Sequence, residues 1–249
     1  MSQQSNRPRC PIPAMFKGLT RPATPLSDRL KTLTRAQHDE AEGHPLHAVL
    51  FGSQGADAAR EAYRRLLGQH LVIQQAFEPL LADAAANWGS LLRPEHLHLN
   101  ALLADCTDLG VGPDFARPLP ATVRFVEFIR RSAEGAASPL LGVFYVFEGS
   151  TNGGTIIAMR VKDLLGLEGD RGTRFINPHG TKVRAVWSQW KADADAIPLR
   201  EPEAAAAVAG AQESFRLSHA LLGDVHAAMG APSGPPQVVV LPLKPAAQV

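Results

Sequence analysis

Three side chains suited to holding a metal-bound ligand share one face of a predicted helix near the start of the chain. In the segment LKTLTRAQHDEAEG, Lys31 and His38 are seven residues apart, which brings them within about 20° of each other on an α-helix. His38 and Glu42 are four residues apart and share that face. Neutral imidazole is a good iron ligand, and a partner such as Glu42 would fix its tautomer. An exposed helix with an ordinary His–Glu pair has the same pattern, and His44 and His47 are competing ligands.

A second segment, SPLLGVFYVFEGSTNGGTIIAMRVKDLLG, places three glycines inside an otherwise strongly apolar helical pattern. Each interior glycine costs up to about 1 kcal/mol relative to alanine, so Gly149, Gly153 and Gly154 need a compensating role. Gly149 and Gly153 are four residues apart and leave bare backbone on one face. This pattern indicates a surface on which a flat ligand can lie. Close packing of another helix is the alternative interpretation.

The remaining histidines and carboxylates predict no second metal centre. His96 and His98 are two residues apart and would face different directions on a helix, which argues against a shared metal ion. His179 lies in the loop sequence NPHG. Glu78 and Glu148 lie within helical patterns, but neither belongs to a Glu-x-x-His pair of the kind that di-iron helical bundles use.

These chemical groups require helices to position them, and apolar residues recur at helical spacing through the middle of the chain. Ser27 is a predicted N-cap with Gly43 as the stop, and Ser138 is another with Gly166 as the stop. Pro79 should kink or divide its helix. The predicted helices are Asp28 to about Glu42, 56–86, Pro94 to about Ala104, 120–132, 139–165, 180–195 and 201–229. The fold class is therefore all-α, a single-domain helical bundle.

Composition bounds the domain organisation and excludes several classes of partner. We expect a flexible arm at 1–25, a helical domain at 26–229 and a flexible Pro-rich tail at 230–249. The formal net charge is +1, which favours neither nucleic acid nor an anionic membrane as a partner. No apolar run reaches the roughly 18–20 residues that span a bilayer, and the N-terminus lacks the apolar core of a signal peptide. We expect a cytoplasmic protein, as a monomer or weak dimer.

Taken together, the motifs LKxxTxxxHxxAE and EGSTNGG resemble the haem oxygenase family, and most closely its bacterial biliverdin-producing branch. The resemblance extends over about residues 27–228. It implies a haem-oxygenase-like bundle in which haem b lies between a proximal and a distal helix. His38 would be the axial iron ligand. The residues in matching positions are Lys31, Thr34, His38 and Glu42 in the proximal helix, and Glu148, Gly149, Ser150, Gly153 and Gly154 in the distal helix.

The resemblance also implies an enzyme, an oxidoreductase that opens haem with O₂ to biliverdin, CO and ferrous iron. Electrons would come from an external donor such as a ferredoxin, a flavodoxin or a reductase. Gly149 and Gly153 would crowd the distal face of the haem. Ser150 stands where some members have an aspartate that organises proton-delivering water. Serine donates and accepts hydrogen bonds but cannot hold a negative charge, so it is a different kind of group for this role.

Further haem contacts follow from positions in the family pattern. Phe144 stands where the family often has a tyrosine, so the neighbouring Tyr145 is the candidate phenol. Phe215 would lie against the macrocycle, although an ordinary core phenylalanine explains it equally well. The candidate cations for the haem propionates are Lys31, Lys182, Arg184 and Lys191.

Two alternative functions fit the same helical fold. One is a catalytically silent haem-binding or haem-sensing protein, which the departures at Ser150 and Phe144 leave open. The other is a non-haem di-iron oxidase, for which the helices lack the expected ligand repeats.

Overall fold

The computed structural model describes residues 24–135 and 137–229, and all regular structure within these ranges is helical. The all-α fold class is thereby confirmed. Most of the arm and the whole tail predicted at 1–25 and 230–249 lie outside the described residues. The helices are α1 (Leu26–Leu33), α2 (Arg35–Glu42), α3 (Leu46–Leu50), α4 (Ala56–Ala85), α5 (Leu99–Asp108), α6 (Pro120–Ser132), α7 (Ser138–Leu165), α8 (Val183–Ala196) and α9 (Glu201–Ala228). None of these helices is long and apolar enough to cross a membrane.

The core is built on the crossing of α7 and α9, which touch backbone to backbone. A Cβ at Gly142 would lie 2.1 Å from the Ala207 carbonyl oxygen, and one at Gly210 would lie 2.2 Å from that of Pro139. Only glycine permits this approach, because a side chain at either position would force the two helices apart. Helices α4 and α6 pack around this crossing. The largest fully buried side chains are Trp190, Tyr63, Phe125 and Phe144.

The helix predicted from Asp28 to Glu42 is divided in two at Thr34. The backbone there leaves the helical region (φ −107°, ψ 4°), and the Thr34 hydroxyl donates to the Leu30 carbonyl at 2.7 Å. The prediction of one continuous helix is therefore wrong. Helix α2 begins anew at Arg35 and packs against α9.

Ser27 does not cap this helix, because α1 begins one residue earlier at Leu26. The Ser27 hydroxyl instead donates to Asp195 Oδ2 and its backbone N–H donates to Asp195 Oδ1, both at 2.8 Å. These bonds tie the start of α1 to the end of α8.

Several helix boundaries differ from those predicted at prolines and at Ser138. Pro79 was expected to kink or divide its helix; helix α4 runs through it without a break, so the division does not occur. Pro94 opens only a 3₁₀ turn, Pro94–His96, after which Leu97 is extended (φ −98°, ψ 107°). Ser138 is the first residue of α7 rather than its N-cap; that position belongs to Ala137, with φ 54°. Helix α3 was not predicted.

Candidate functional site

His38 projects from α2 with about half of its side chain exposed (52%). Its Nδ1 lies 3.5 Å from Asp39 Oδ1 and 3.7 Å from Glu42 Oε2. The predicted pairing with Glu42 is therefore at the edge of direct contact, and sequence reasoning overlooked Asp39 as a second acidic neighbour. No protein group within residues 24–135 and 137–229 forms a hydrogen bond with Nε2 of His38. This nitrogen is therefore available to an external ligand.

Phe215 of α9 holds the His38 ring from the side. The ring centroids are 5.6 Å apart and the ring planes are inclined by 71°, an edge-to-face arrangement. One turn earlier on α9, Gln212 Nε2 donates to the Leu33 carbonyl at 2.8 Å and fastens the end of α1. Helix α9 thus positions both the break between α1 and α2 and the imidazole beyond it.

The competing histidines differ in the state of their ring nitrogens. His44 Nδ1 accepts a hydrogen bond from the backbone N–H of Leu46 at 3.1 Å, so the Nε2 of the neutral ring carries the proton. Burial, aided by the nearby His219, lowers the pKa of His44. In contrast, His47 Nδ1 donates to the Glu42 carbonyl at 2.9 Å and keeps the lone pair of Nε2 free. His47 is therefore the relevant competitor of His38, and His44 is not.

The three glycines of α7 have three different environments. A Cβ at Gly149 would lie 3.3 Å from the Trp187 ring of α8, and one at Gly153 would meet nothing within 4 Å. At Gly154 a Cβ would lie 1.8 Å from the Ile176 carbonyl oxygen. Gly154 is therefore required by the close approach of the 173–177 backbone. Among the three positions, Gly153 leaves the most open space.

Large apolar side chains are exposed near this glycine on α7. Ile156 is 58% exposed and Met159 is 53% exposed, one and two turns beyond Gly153. Leu33, at the end of α1, is 49% exposed. Exposed apolar side chains of this size are surfaces on which an apolar ligand or a partner can pack.

Tyr145 of α7 lies near Thr34, at the break between α1 and α2, and near the tryptophans of α8. Burial raises the pKa of its phenol, and the Thr34 side chain partly offsets that effect. The Tyr145 ring lies 5.5 Å from that of Trp187, which is stacked on Trp190 at 5.2 Å. The sequence did not indicate the proximity of Thr34.

Ser150 and Asn152 both bond back to the α7 backbone. The Ser150 hydroxyl, which is exposed, donates to the Phe147 carbonyl at 2.7 Å. Asn152 Nδ2 donates to the Gly149 carbonyl at 3.0 Å. The serine proton is thus committed to the backbone, while the lone pairs of its oxygen remain free to accept from water.

The cations predicted for the propionates lie on two elements. Lys31 lies on α1, Arg184 is in the first turn of α8, Lys182 lies just before it, and all three are exposed. Within the described part of the chain, none of the three forms an ion pair. Lys191 Nζ lies 5.9 Å from the Trp187 ring centroid, a cation–π contact.

A buried cluster on α7 was not expected from the sequence. His179 Nε2 donates to Glu148 Oε1 at 2.7 Å, and the His98 ring lies 5.4 Å from the His179 ring. The His96 ring lies 6.5 Å from His179. His96 and His98 do not lie on one helix, as the prediction assumed, because the intervening Leu97 is extended. The expectation that these two histidines share no metal ion is not contradicted, since only His98 has donor atoms near Glu148 and His179.

The Heme oxygenase family profile matches residues 24–224, which include both motif segments. The chain belongs to the haem oxygenase family. No curated protein matches the chain closely enough in sequence to be identified as a relative.

Solved structures with the haem oxygenase fold superpose on most of the chain. The haem oxygenase from Leptospira interrogans has a TM-score of 0.70 and 23% sequence identity, covering 80% of this chain and 98% of its own. Haem oxygenase-1 from the cyanobacterium Synechocystis, solved in complex with haem, has a TM-score of 0.72 and 19% identity, covering 83% and 94%. A domain of unknown function from Shewanella denitrificans has a TM-score of 0.63 and 16% identity, covering 83% and 94%. These superpositions establish a shared haem oxygenase fold, and at sequence identities this low they establish the fold alone.

Proposed function

We propose that this chain is a haem oxygenase that binds haem b through Nε2 of His38. It opens the macrocycle with O₂ to biliverdin, CO and ferrous iron, with electrons from an external ferredoxin, flavodoxin or reductase. The observation that carries the proposal is that, in a member of this family, Nε2 of His38 is free to bind a ligand. Its imidazole is half-exposed and its Nε2 has no protein partner among the described residues. Neutral histidine is the axial ligand that many haem proteins use.

The residues around His38 suit this ligand role. Asp39 and Glu42 lie on the Nδ1 side of the ring at 3.5 and 3.7 Å, where an acceptor favours the tautomer with a proton on Nδ1. That tautomer leaves the lone pair of Nε2 for iron. The edge contact with Phe215 limits rotation of the ring. The chain therefore orients the imidazole before any ligand arrives.

The α7 surface supports the binding of a flat ligand. Open space at Gly153 and the exposed apolar side chains of Ile156 and Met159 provide apolar surface for such a ligand. At Gly149 the Trp187 ring lies in van der Waals contact range, which closes that part of the glycine surface. We propose that Gly153 and the Trp187 ring would both contact the macrocycle when haem is bound.

Haem, when bound, supplies the iron that activates O₂ and is itself the substrate that is oxidised. On the distal side, the chain contributes backbone that carries no side chain at Gly149 and Gly153, and it orders water. Ser150 Oγ donates to the Phe147 carbonyl, so it accepts a hydrogen bond from water rather than giving one. We propose that Ser150 anchors a water molecule, and that the protons come from water rather than from a side-chain acid.

The propionates require cations at the edge of the site. Lys31, Lys182 and Arg184 are exposed and without ion pairs in the described ranges, so they are free to pair with carboxylates. Tyr145 lies near Thr34 and 5.5 Å from the Trp187 ring. We propose that its ring supports the helix break and contributes to the pocket wall.

Reconstitution with haemin followed by turnover tests the proposal. We expect a Soret band on adding haemin, and conversion to a bilin spectrum with release of CO when a reductant and air are supplied. His38→Ala should lose the axial ligand and the turnover. His47→Ala is the matched control, because it removes the neighbouring competitor and should change neither.

Other outcomes separate the alternative functions. A stable Soret band without turnover under several electron donors would identify a haem-binding or haem-sensing protein instead. Unchanged spectra in His38→Ala together with altered spectra in His47→Ala would transfer the ligand role to His47. Failure to take up haem would contradict the proposal altogether.

A further inference from the structure

Three segments far apart in the chain bring a carboxylate and two imidazoles together beneath the α7 surface. Glu148 lies on α7, His98 just before α5 and His179 in the loop before α8. The Glu148 side chain is 1% exposed, and those of His98 and His179 are 9% and 3% exposed. Glu148 Oε1 lies 2.7 Å from His179 Nε2, and Glu148 Oε2 lies 3.5 Å from His98 Nε2. One carboxylate therefore faces both rings.

Two of these buried atoms have no hydrogen-bond partner. Glu148 Oε2 and His98 Nε2 are inaccessible to solvent and unsatisfied, although they face each other. An unsatisfied buried polar atom costs about 1–3 kcal/mol, more when charged, and native structures keep few of them. Two such atoms only 3.5 Å apart are positioned to bind one and the same group.

We propose that His98, Glu148 and His179 form a binding site for a divalent transition-metal ion, zinc or iron(II). Their donor atoms all lie within 4.8 Å of one another. Metal–ligand bonds of about 2.0–2.2 Å require neighbouring donors roughly 3.0–3.5 Å apart. The His98–Glu148 pair already has this spacing. The His179–Glu148 pair needs to open by a few tenths of an ångström, and the proton on His179 Nε2 is released to solvent or moves to Nδ1 when the ion binds. Two histidines and one carboxylate are a known ligand set for both ions.

His96 borders the cluster but is not one of its donors. The His96 ring lies 6.5 Å from the His179 ring. His96 Nδ1 accepts from the Arg93 backbone N–H at 3.1 Å, so His96 is occupied as part of the surrounding shell.

The backbone around the cluster is held in place before any metal binds. Glu78 Oε1 accepts hydrogen bonds from the backbone N–H groups of His98 and Leu99, at 2.5 and 2.6 Å. The 173–177 segment that leads to His179 is pressed against Gly154, where no side chain fits. Both histidine-bearing segments are thus anchored to helices, and a bound ion would join them to α7.

This site is distinct from the proposed haem site. Glu148 and Gly149 are adjacent on α7, and adjacent helical residues point about 100° apart. His38, Asp39 and Glu42 also have donor atoms close enough to hold a cation, but all three are exposed. The metal proposal does not depend on haem binding, and its test uses the haem-free protein.

Titration with Co²⁺ as a spectroscopic probe tests the proposal on full-length protein stripped with a chelator. We expect the wild-type protein to bind one equivalent in the buried site, with the visible d–d absorption of a low-symmetry Co²⁺ centre that Zn²⁺ displaces. His98→Ala and His179→Ala should each weaken binding by more than about tenfold, since even second-shell changes cost 10–100-fold. Binding should also raise the Tm of the wild-type protein and of no ligand variant.

Matched controls separate this site from other histidines. His38→Ala removes one donor of the exposed group on α2. His219→Ala removes a histidine of α9 whose ring lies 4.9 Å from that of His44. Neither should alter the Co²⁺ spectrum. If His98→Ala or His179→Ala fails to fold, His179→Gln and the wild-type titration decide the question. A folded wild-type protein that shows no d–d absorption, or binding that persists in His98→Ala and His179→Gln, would overturn the proposal.

Discussion

The edge of the Phe215 ring lies against the His38 imidazole, with centroids 5.6 Å apart and ring planes inclined by 71°. Phe215 comes from α9 and His38 from α2, so the last helix of the domain orients the proposed iron ligand. The contact assigns Phe215 a role toward the histidine, where the sequence suggested the macrocycle or the core.

Phe215→Leu should keep the apolar volume but release the His38 ring. An aromatic pair of this kind contributes about 0.5–1.5 kcal/mol beyond its buried area, so we expect haem to dissociate up to roughly tenfold faster. Transfer of haem to excess apomyoglobin measures this rate. Phe128→Leu, on α6, is the control and should leave it unchanged. Equal dissociation rates in the two variants would show that Phe215 does not orient the ligand.

Gly153→Leu should abolish turnover without destabilising the protein. A Cβ at this position meets no atom within 4 Å, and replacing a helical glycine removes a penalty of up to about 1 kcal/mol. We expect an unchanged or higher Tm and a loss of haem turnover, with Gly153→Ala giving a smaller loss. Retention of full turnover in the leucine variant would contradict the proposed contact between haem and Gly153.

Gly154→Ala should destabilise the protein, in contrast to Gly153→Leu at the preceding position. Its Cβ would collide with the Ile176 carbonyl oxygen, so the loop before α8 must move. Overpacking of this kind costs about 1–3 kcal/mol. Denaturant unfolding followed by circular dichroism measures the loss. A variant as stable as the wild-type protein would mean that the loop moves away at no cost.

His70 should make stability depend on pH between about 6.5 and 4. Burial lowers the pKa of its imidazole from 6.5 to about 4 in the folded chain, and its Nδ1 has no hydrogen-bond partner. The unfolded chain binds a proton over this range that the folded chain does not, so the contribution is complete above pH 6.5 and is lost as the pH falls toward 4. The shift corresponds to roughly 3–4 kcal/mol.

Unfolding free energies of His70→Leu and wild type, measured across this pH range, test the relation. The slope should decrease in His70→Leu, while His47→Leu, at a partly exposed histidine, should keep the wild-type slope. A residual slope is expected in both variants, because burial also lowers the pKa of His44 and His96. Identical slopes in all three proteins would refute the assignment.

Arg184→Glu should weaken haem binding through charge. The side chain is exposed and without an ion pair in the described ranges, and haem has two propionate carboxylates. We expect a several-fold weaker affinity at low salt, and a smaller difference at high salt because exposed charges are screened. Arg131→Glu, an exposed arginine at the end of α6, is the control with the same charge change. Equal effects from the two substitutions would remove Arg184 from the site.

The amino-acid sequence alone determined the fold class, most of the helices and the two motif segments. Helical periodicity and the stops at Gly43 and Gly166 are local signals, and the structure confirms them at the ends of α2 and α7. The break at Thr34 was missed because its cause is distributed. The hydroxyl bond to Leu30 is local, but Gln212 and Tyr145, which lie at the junction, are distant in the chain.

Only the tertiary structure decided how the chemical groups are combined. The glycines at 149, 153 and 154 are equivalent in the sequence, but Trp187, open space and the Ile176 backbone distinguish them. The cluster of His98, Glu148 and His179 joins segments 31 to 81 residues apart, as their numbers show. Spacing along the chain carries no information at such separations, because only the packing of α7 against its neighbouring loops brings the groups together.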